Sequence, residues 1–189
     1  MKVLTFNRII AFLEKGINGG TALNAKNRRR VALGGMFAAL IALTTAFVRL
    51  PLAGGYLHPG DAAIALAGVA LGPYAAAPAA LGSLLADLLG YPQYALFSLA
   101  IKGLLGLCAG AAGRRSGKAG RAVLLLAGCA VLTGGYFAAD CLLGGVGMAL
   151  TDLPWNALQA ALFLVTGVAA RAVMPQDHFA RKTEDDTQN

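Results

Sequence analysis

GDAAIALAGVAL, residues 60–71, is twelve residues long and apolar after its second position. At about 1.5 Å per residue a helix of that length covers only ~18 Å, short of a ~30 Å hydrocarbon core. Whether it crosses a membrane fixes the sidedness of everything that follows. Gly72-Pro73 ends it, and Pro73 is well placed at a first helical position to open a third apolar run to Leu89. Gly90-Tyr91-Pro92 breaks the chain again before a fourth run, Tyr94 to Ala112. A basic loop carrying Arg114, Arg115, Lys118 and Arg121 precedes a fifth run from Ala122 to about Leu143. Gly144 to Pro154 reads as a Gly-rich connection, and Trp155 to Val173 as a sixth span. Upstream, a first span runs from Arg30 to Leu50, stopped by Pro51 and followed by a short Gly-rich loop, Pro51–His58.

Composition places these runs in a bilayer. The 189 residues are 57% hydrophobic and 13% charged, with mean hydropathy +0.63. A soluble domain carries about 25% charged residues, so this is an integral membrane protein. The net charge of +7 comes from basic residues beside apolar spans, which points to anionic lipid headgroups rather than nucleic acid. Cys108, Cys129 and Cys141 lie in or near apolar runs without paired spacing and read as packing residues, not as disulfide or metal ligands. Val3–Leu13, interrupted by Asn7 and Arg8 and lacking a cleavage site downstream, reads as an interfacial amphipathic helix. The organisation is then a cytoplasmic or interfacial segment, 1–29, a membrane domain, 30–173, and a flexible cytoplasmic tail, 174–189.

Charge decides the short run. Arg28, Arg29 and Arg30 before the first span make the N-terminus cytoplasmic. If residues 60–71 cross, the Arg114–Arg121 loop and the Arg171/Arg181/Lys182 end are cytoplasmic too. If they do not, the four-charge loop lands outside. The expectation is an all-α integral membrane protein of six transmembrane helices in the cell membrane, both termini inside, with tilt or thinning absorbing the short span.

Between Val31 and Ala170 there are ten charged side chains, and the six outside the basic loop stand alone: Arg49, Asp61, Asp87, Lys102, Asp140 and Asp152. Ionisable groups in a span cost roughly 2.5–3.5 kcal/mol at its centre, so they mark function. In this topology all six fall in the outer half, which argues for a cavity opening outward rather than a channel lined from face to face. Ser83/Asp87, Ser98/Lys102 and Tyr136/Asp140 are spaced by four, and Asn156/Gln159 by three, so each pair shares a helix stripe. Asn and Gln offer donor and acceptor to the edge of a small heterocycle. Tyr91, Tyr94, Tyr136 and Trp155 are either stacking walls or an interfacial belt. Asp87, Lys102 and Asp140 bind ligand or pair internally. Asp61 reads as a first-turn carboxylate favoured by the helix dipole, and Arg49 and Asp152 as boundary charges. Ala38, Ala42 and Ala46, four apart, form a groove for close helix approach.

His58-Pro59-Gly60-Asp61, Leu71-Gly72-Pro73, Gly82–Tyr91, Lys102-Gly103-Leu104-Leu105-Gly106, Tyr136…Asp140 and Pro154-Trp155-Asn156-x-x-Gln159 together resemble the substrate-binding S component of energy-coupling factor (ECF) vitamin transporters. The resemblance covers roughly Arg30 to Ala172. It implies a six-helix binding protein that takes a vitamin or precursor from outside and works with a transmembrane coupling protein and two cytoplasmic ATPases. It implies that Ala38, Ala42 and Ala46 contact the coupling protein and that Pro51–His58 is a lid. It points to Lys102, Tyr136, Asp140, Asn156 and Gln159, beside Asp87, as the pocket. The implied ligand is riboflavin, hydroxymethylpyrimidine or thiamine, or a pyridoxine-like molecule, and the single Trp fits a small ring better than a large one.

The residues agree that energy comes from elsewhere. Gly117-Lys118-Ala119 is no P-loop. His58 and His178 are too far apart for a metalloprotease site, and Ser83 has no histidine base, so neither enzyme chemistry nor a cofactor or metal is expected. The competing reading is a self-contained secondary transporter or channel, which would need polar groups in the inner half as well.

Overall fold

The computed structural model describes residues 25–48, 50–52 and 55–173. The interfacial helix expected at Val3–Leu13, Arg49 and the C-terminal tail lie outside them. The described chain is helical: α1 (Ala25–Phe47), α2 (Gly60–Leu71), α3 (Ala76–Gly90) and α4 (Ala95–Arg114) precede one long run, Lys118–Val173. That run leaves helical geometry at Gly145, where φ is 82° and ψ 176°. It therefore divides into α5, residues 118–144, and α6, residues 146–173.

Several boundaries differ from the sequence reading for identifiable reasons. α1 is already helical at Ala25, where the described residues start, rather than from Arg30, because Arg, Lys and Ala are good helix formers and carry the helix into its basic leader. It stops at Phe47 because the expected Pro51–His58 loop is partly ordered as a hairpin, β1 (Leu50–Leu52) against β2 (Gly55–Leu57). Its antiparallel register sets Pro51 opposite Tyr56, and a two-stranded ribbon tolerates a proline that a central strand would not. The expected Gly144–Pro154 connection is also corrected. Gly145 alone makes the turn, and the helix resumes at once with Ala149 fully buried. Tertiary packing outweighs the poor helix propensity of Gly147 and the backbone bond lost at Pro154.

Packed pairs fix the direction of each helix. Thr45 of α1 abuts Gly60, while Leu33 and Phe37 pack on Ala67 and Leu71 of α2, so α1 and α2 are antiparallel. Gly68 meets Ala109 and Lys102 meets Asp61, so α2 and α4 run parallel. Gly106 meets Ala79 and Gly103 meets Ala80, so α3 opposes α4. Ile101 faces Gly135, and Leu105 faces Gly128, so α5 opposes α4. Gly128 meets Phe163, Leu125 meets Gly167, and the Cys129 thiol donates to the Ala160 carbonyl at 3.3 Å, so α6 folds back on α5. The six described helices alternate in direction.

Four stretches among the described residues are long and apolar enough to cross a membrane: Asn27–Phe47, Gly60–Gly90, Pro92–Arg114 and Lys118–Val173. The second reverses direction through the tight turn Gly72–Ala75 and the fourth at Gly145. Ile41, Ile64, Leu105, Leu132 and Phe163, from five helices, are buried in one core. Outside it, Met36, Leu89, Leu96, Leu142 and Val165 are well exposed, an apolar surface suited to lipid.

Gly72 is required by its geometry. Its φ of 61° disfavours any side chain, and a Cβ there would strike the Arg114 guanidinium. Gly72→Val is expected to cost about 1–3 kcal/mol, read as a lower melting temperature in detergent. Gly117→Val, in the basic loop with nothing within 4 Å, leaves the melting temperature unchanged.

Candidate functional site

Alternating directions bring six chain segments to one end of the bundle: the end of α1, the approach to α2, the ends of α3 and α5, and the starts of α4 and α6. They enclose a cavity of about 310 Å³. That volume is roughly the share of ten liquid waters, the size range of small-molecule sites.

α4, with Tyr94 immediately before it, supplies the organising stripe. Tyr94, Ser98 and Lys102 recur every fourth residue and face Tyr136 and Asp140 of α5. The Tyr94 hydroxyl donates to Asp140 Oδ1 at 2.6 Å. Ser98 Oγ and the Tyr136 hydroxyl share a hydrogen bond of 2.6 Å. Lys102 Nζ lies 4.9 Å from the Tyr136 ring centroid, within cation–π range. The Tyr94 and Tyr136 rings are 6.3 Å apart at 52°, a tilted aromatic pair that stiffens the wall.

All six expected ligand-binding residues line this one cavity: Asp87, Lys102, Tyr136, Asp140, Asn156 and Gln159. Ser83 and the four aromatics Tyr91, Tyr94, Tyr136 and Trp155 line it too. Asp152, which the sequence suggests is a boundary charge in a loop, stands on α6 and lines the cavity instead. The reason is the helical continuation past Gly145, which brings the 146–156 segment inward. Thr45, Gln93 and Met148 are lining residues that sequence reasoning misses. Thr45 is hidden in an apolar run, although its position shortly before the hairpin proline marks the helix end where such a cavity opens.

The Lys102 partner also differs from expectation. Its ammonium binds Asp61 Oδ1 at 2.6 Å, with the two side chains only 3% and 0% exposed. Asp61 is indeed in the first turn of α2, but its principal contact is this ion pair rather than the helix dipole alone. A buried pair of this kind is held together because either charge alone would be left desolvated. Among the described residues two carboxylate oxygens, Asp61 Oδ2 and Asp140 Oδ2, are buried without a hydrogen-bond partner in the protein. Of the two residues only Asp140 lines the cavity, and its Oδ2 is buried beside it without a hydrogen-bond partner in the protein. His58 closes one side, with its Nδ1 accepting the Gly60 N–H at 3.2 Å. Among the described residues no three His, Cys, Asp or Glu side chains gather as metal ligands.

Ala38, Ala42 and Ala46 lie along α1, with Ala42 half-buried, and the Ala38 carbonyl approaches Gly82 of α3. The stripe therefore borders the bundle, neither sealed within it nor fully outside.

A lipid-clad helical bundle with a polar, aromatic-walled cavity at one end is a membrane protein built to bind a small molecule. Comparison with known proteins gives the class its name. The family described as "ECF-type riboflavin transporter, S component" matches residues 25–174, and the chain belongs to that family of substrate-binding transport subunits. A Pyrococcus woesei protein described as "Uncharacterized protein in gap 3'region" is 36% identical over 131 residues, covering 67% of this chain and 88% of that protein.

Proposed function

We propose that this chain captures a riboflavin-type vitamin, or a smaller heterocyclic precursor, and delivers it inward as the substrate-binding subunit of an ECF importer. The observation that carries the reading is the one-sided cavity with its unsatisfied Asp140 oxygen. Trp155 and the tyrosines offer ring faces, Asn156 and Gln159 offer donor and acceptor to a heterocycle edge, and Asp140 accepts an N–H or O–H.

Orientation follows from charge. Arg28, Arg29 and Arg30 begin α1, and the Arg114–Arg121 loop and Arg171 share that end of the bundle, away from the cavity. The positive-inside rule assigns the basic end to the cytoplasm and the cavity to the outer face, with six crossings and both termini inside. Gly60–Leu71 then crosses as the short second span, packed parallel to α4. The β1–β2 hairpin serves as the lid. A cavity confined to one end needs a partner to carry its contents across: a transmembrane coupling protein contacting Ala38, Ala42 and Ala46, driven by two cytoplasmic ATPases.

The test is direct. In detergent, riboflavin, pyridoxine or hydroxymethylpyrimidine raises the melting temperature of the purified protein by several degrees. In liposomes, the protein alone binds that compound without accumulating it. Accumulation by the isolated chain would favour a self-contained secondary transporter.

A further inference from the structure

The two ends of the bundle are chemically opposite, and the basic end carries a contact that ligand capture in the cavity does not use. Among the described residues all four aspartates stand at the cavity end, on its lining or just behind it. Arg28, Arg29, Arg30, Arg114, Arg115, Lys118 and Arg121 stand at the other end. Two of these arginines converge on one turn, Gly72–Ala75, between α2 and α3. Arg30, near the start of α1, lies over the Tyr74 ring with its guanidinium carbon 4.3 Å from the centroid. Arg114, in the last turn of α4, sets its guanidinium where a Cβ on Gly72 would be. Neither arginine has a carboxylate partner among the described residues. A guanidinium stacked by its face keeps the N–H groups along its edge free, and that edge matches two phosphate oxygens at once. The ring also restrains a long side chain, so less freedom is lost when an anion binds.

We infer that Arg30, Tyr74 and Arg114 form a binding site for the phosphate of an anionic phospholipid headgroup, held between the basic ends of α1 and α4. The inference requires only that the chain spans a bilayer, and it is independent of the vitamin-binding reading. Position favours a lipid as the source of the phosphate. The basic end of a spanning bundle lies at headgroup depth. Just beyond Arg30 the surface of α1 turns apolar and well exposed, at Val31 and Met36, where the acyl chains of the same lipid find contact. Charge favours an anionic headgroup over a zwitterionic one. A choline or ethanolamine group brings its own cation against the two guanidiniums, whereas a glycerol headgroup brings none. α1 is the least covered of the candidate spans, so a headgroup shared by Arg30 and Arg114 ties its basic end to the rest of the bundle.

The experiment mixes phosphatidylglycerol and phosphatidylcholine of identical acyl chains, in equal amounts, with the purified full-length protein in detergent at low ionic strength. Native mass spectrometry reads the ratio of the two one-lipid complexes. The full chain keeps Glu184, Asp185 and Asp186, outside the described residues, able to compete for the arginines. The wild type is expected to favour phosphatidylglycerol at least fivefold. Arg30→Gln together with Arg114→Gln brings the ratio to within twofold of one. Arg115→Gln together with Lys118→Gln removes the same charge from the adjoining exposed loop and keeps at least a threefold preference. Tyr74→Leu, at a well-exposed position, changes no charge yet lowers the preference severalfold, which diffuse attraction to a basic surface would not do. Equal binding of the two lipids by the wild type overturns the inference. So does an equal loss in the two double variants, which would mean a diffuse basic surface with no site. Millimolar inorganic phosphate that erased the preference would make this a free-anion site and overturn the assignment to lipid. Wild-type lipid preference in the Arg30→Gln/Arg114→Gln variant, with assembly on the coupling protein lost, would put a protein on these arginines instead.

Discussion

Asp140→Ala is expected to weaken vitamin binding by at least a hundredfold. Asp140 lines the cavity and is 2% exposed, and the protein satisfies Oδ1 through Tyr94 but gives the buried Oδ2 no hydrogen-bond partner. A hydrogen bond to a charged acceptor contributes about 1.5–3 kcal/mol, and the ligand donor left facing an apolar methyl adds its own desolvation cost. Together these exceed about 2.7 kcal/mol, which is a hundredfold in Kd. Tyr94→Phe removes the hydroxyl that orients the carboxylate while keeping the ring, and is expected to cost about tenfold. Calorimetric titration of the purified variants reads both. An Asp140→Ala affinity within threefold of wild type would move the ligand away from α5.

Ala42→Trp is expected to bring uptake by the assembled importer down to background while leaving the Kd within about threefold. α1 is the least covered of the candidate spans: 11% of its most apolar window is buried, against 50% for Gly60–Gly90 and for Pro92–Arg114. Small residues four apart let a partner backbone approach closely, and an indole placed there holds it off. Ala42 is half-buried at the edge of the bundle and does not line the cavity, so ligand binding has no reason to change. Leu142→Trp, at a 76% exposed position of α5, provides the lipid-facing control and retains uptake. Loss of binding together with uptake in Ala42→Trp would show that the stripe packs inside the bundle, consistent with the approach of Ala38 to Gly82.

The two outcomes separate the halves of the mechanism. Asp140→Ala would damage capture, and Ala42→Trp delivery.

Much of this is legible in the residues because local periodicity survives in any packing. The starts of α3 and α4 follow from Pro73 and Pro92, and Ser98/Lys102 and Tyr136/Asp140 share stripes simply because helical rise places fourth neighbours together. The rarity of charge in apolar runs is enough to single out Asp87, Lys102 and Asp140. Other features depend on contacts between distant segments. Asp61 and Lys102 are 41 residues apart, on helices that run parallel only because α3 returns between them. Nothing in either local stretch specifies the other. Asp152 has the sequence surroundings of a loop charge, with Gly and Pro close on either side; the packing of α6 on α5 makes it helical and turns it to the cavity. The sequence by itself determined that there are six apolar runs and which polar residues in or beside them are too costly to be idle, since those follow from solvation and helix geometry alone. Only the tertiary structure decided which charge meets which, because partner choice is set by long-range packing and by the desolvation it imposes.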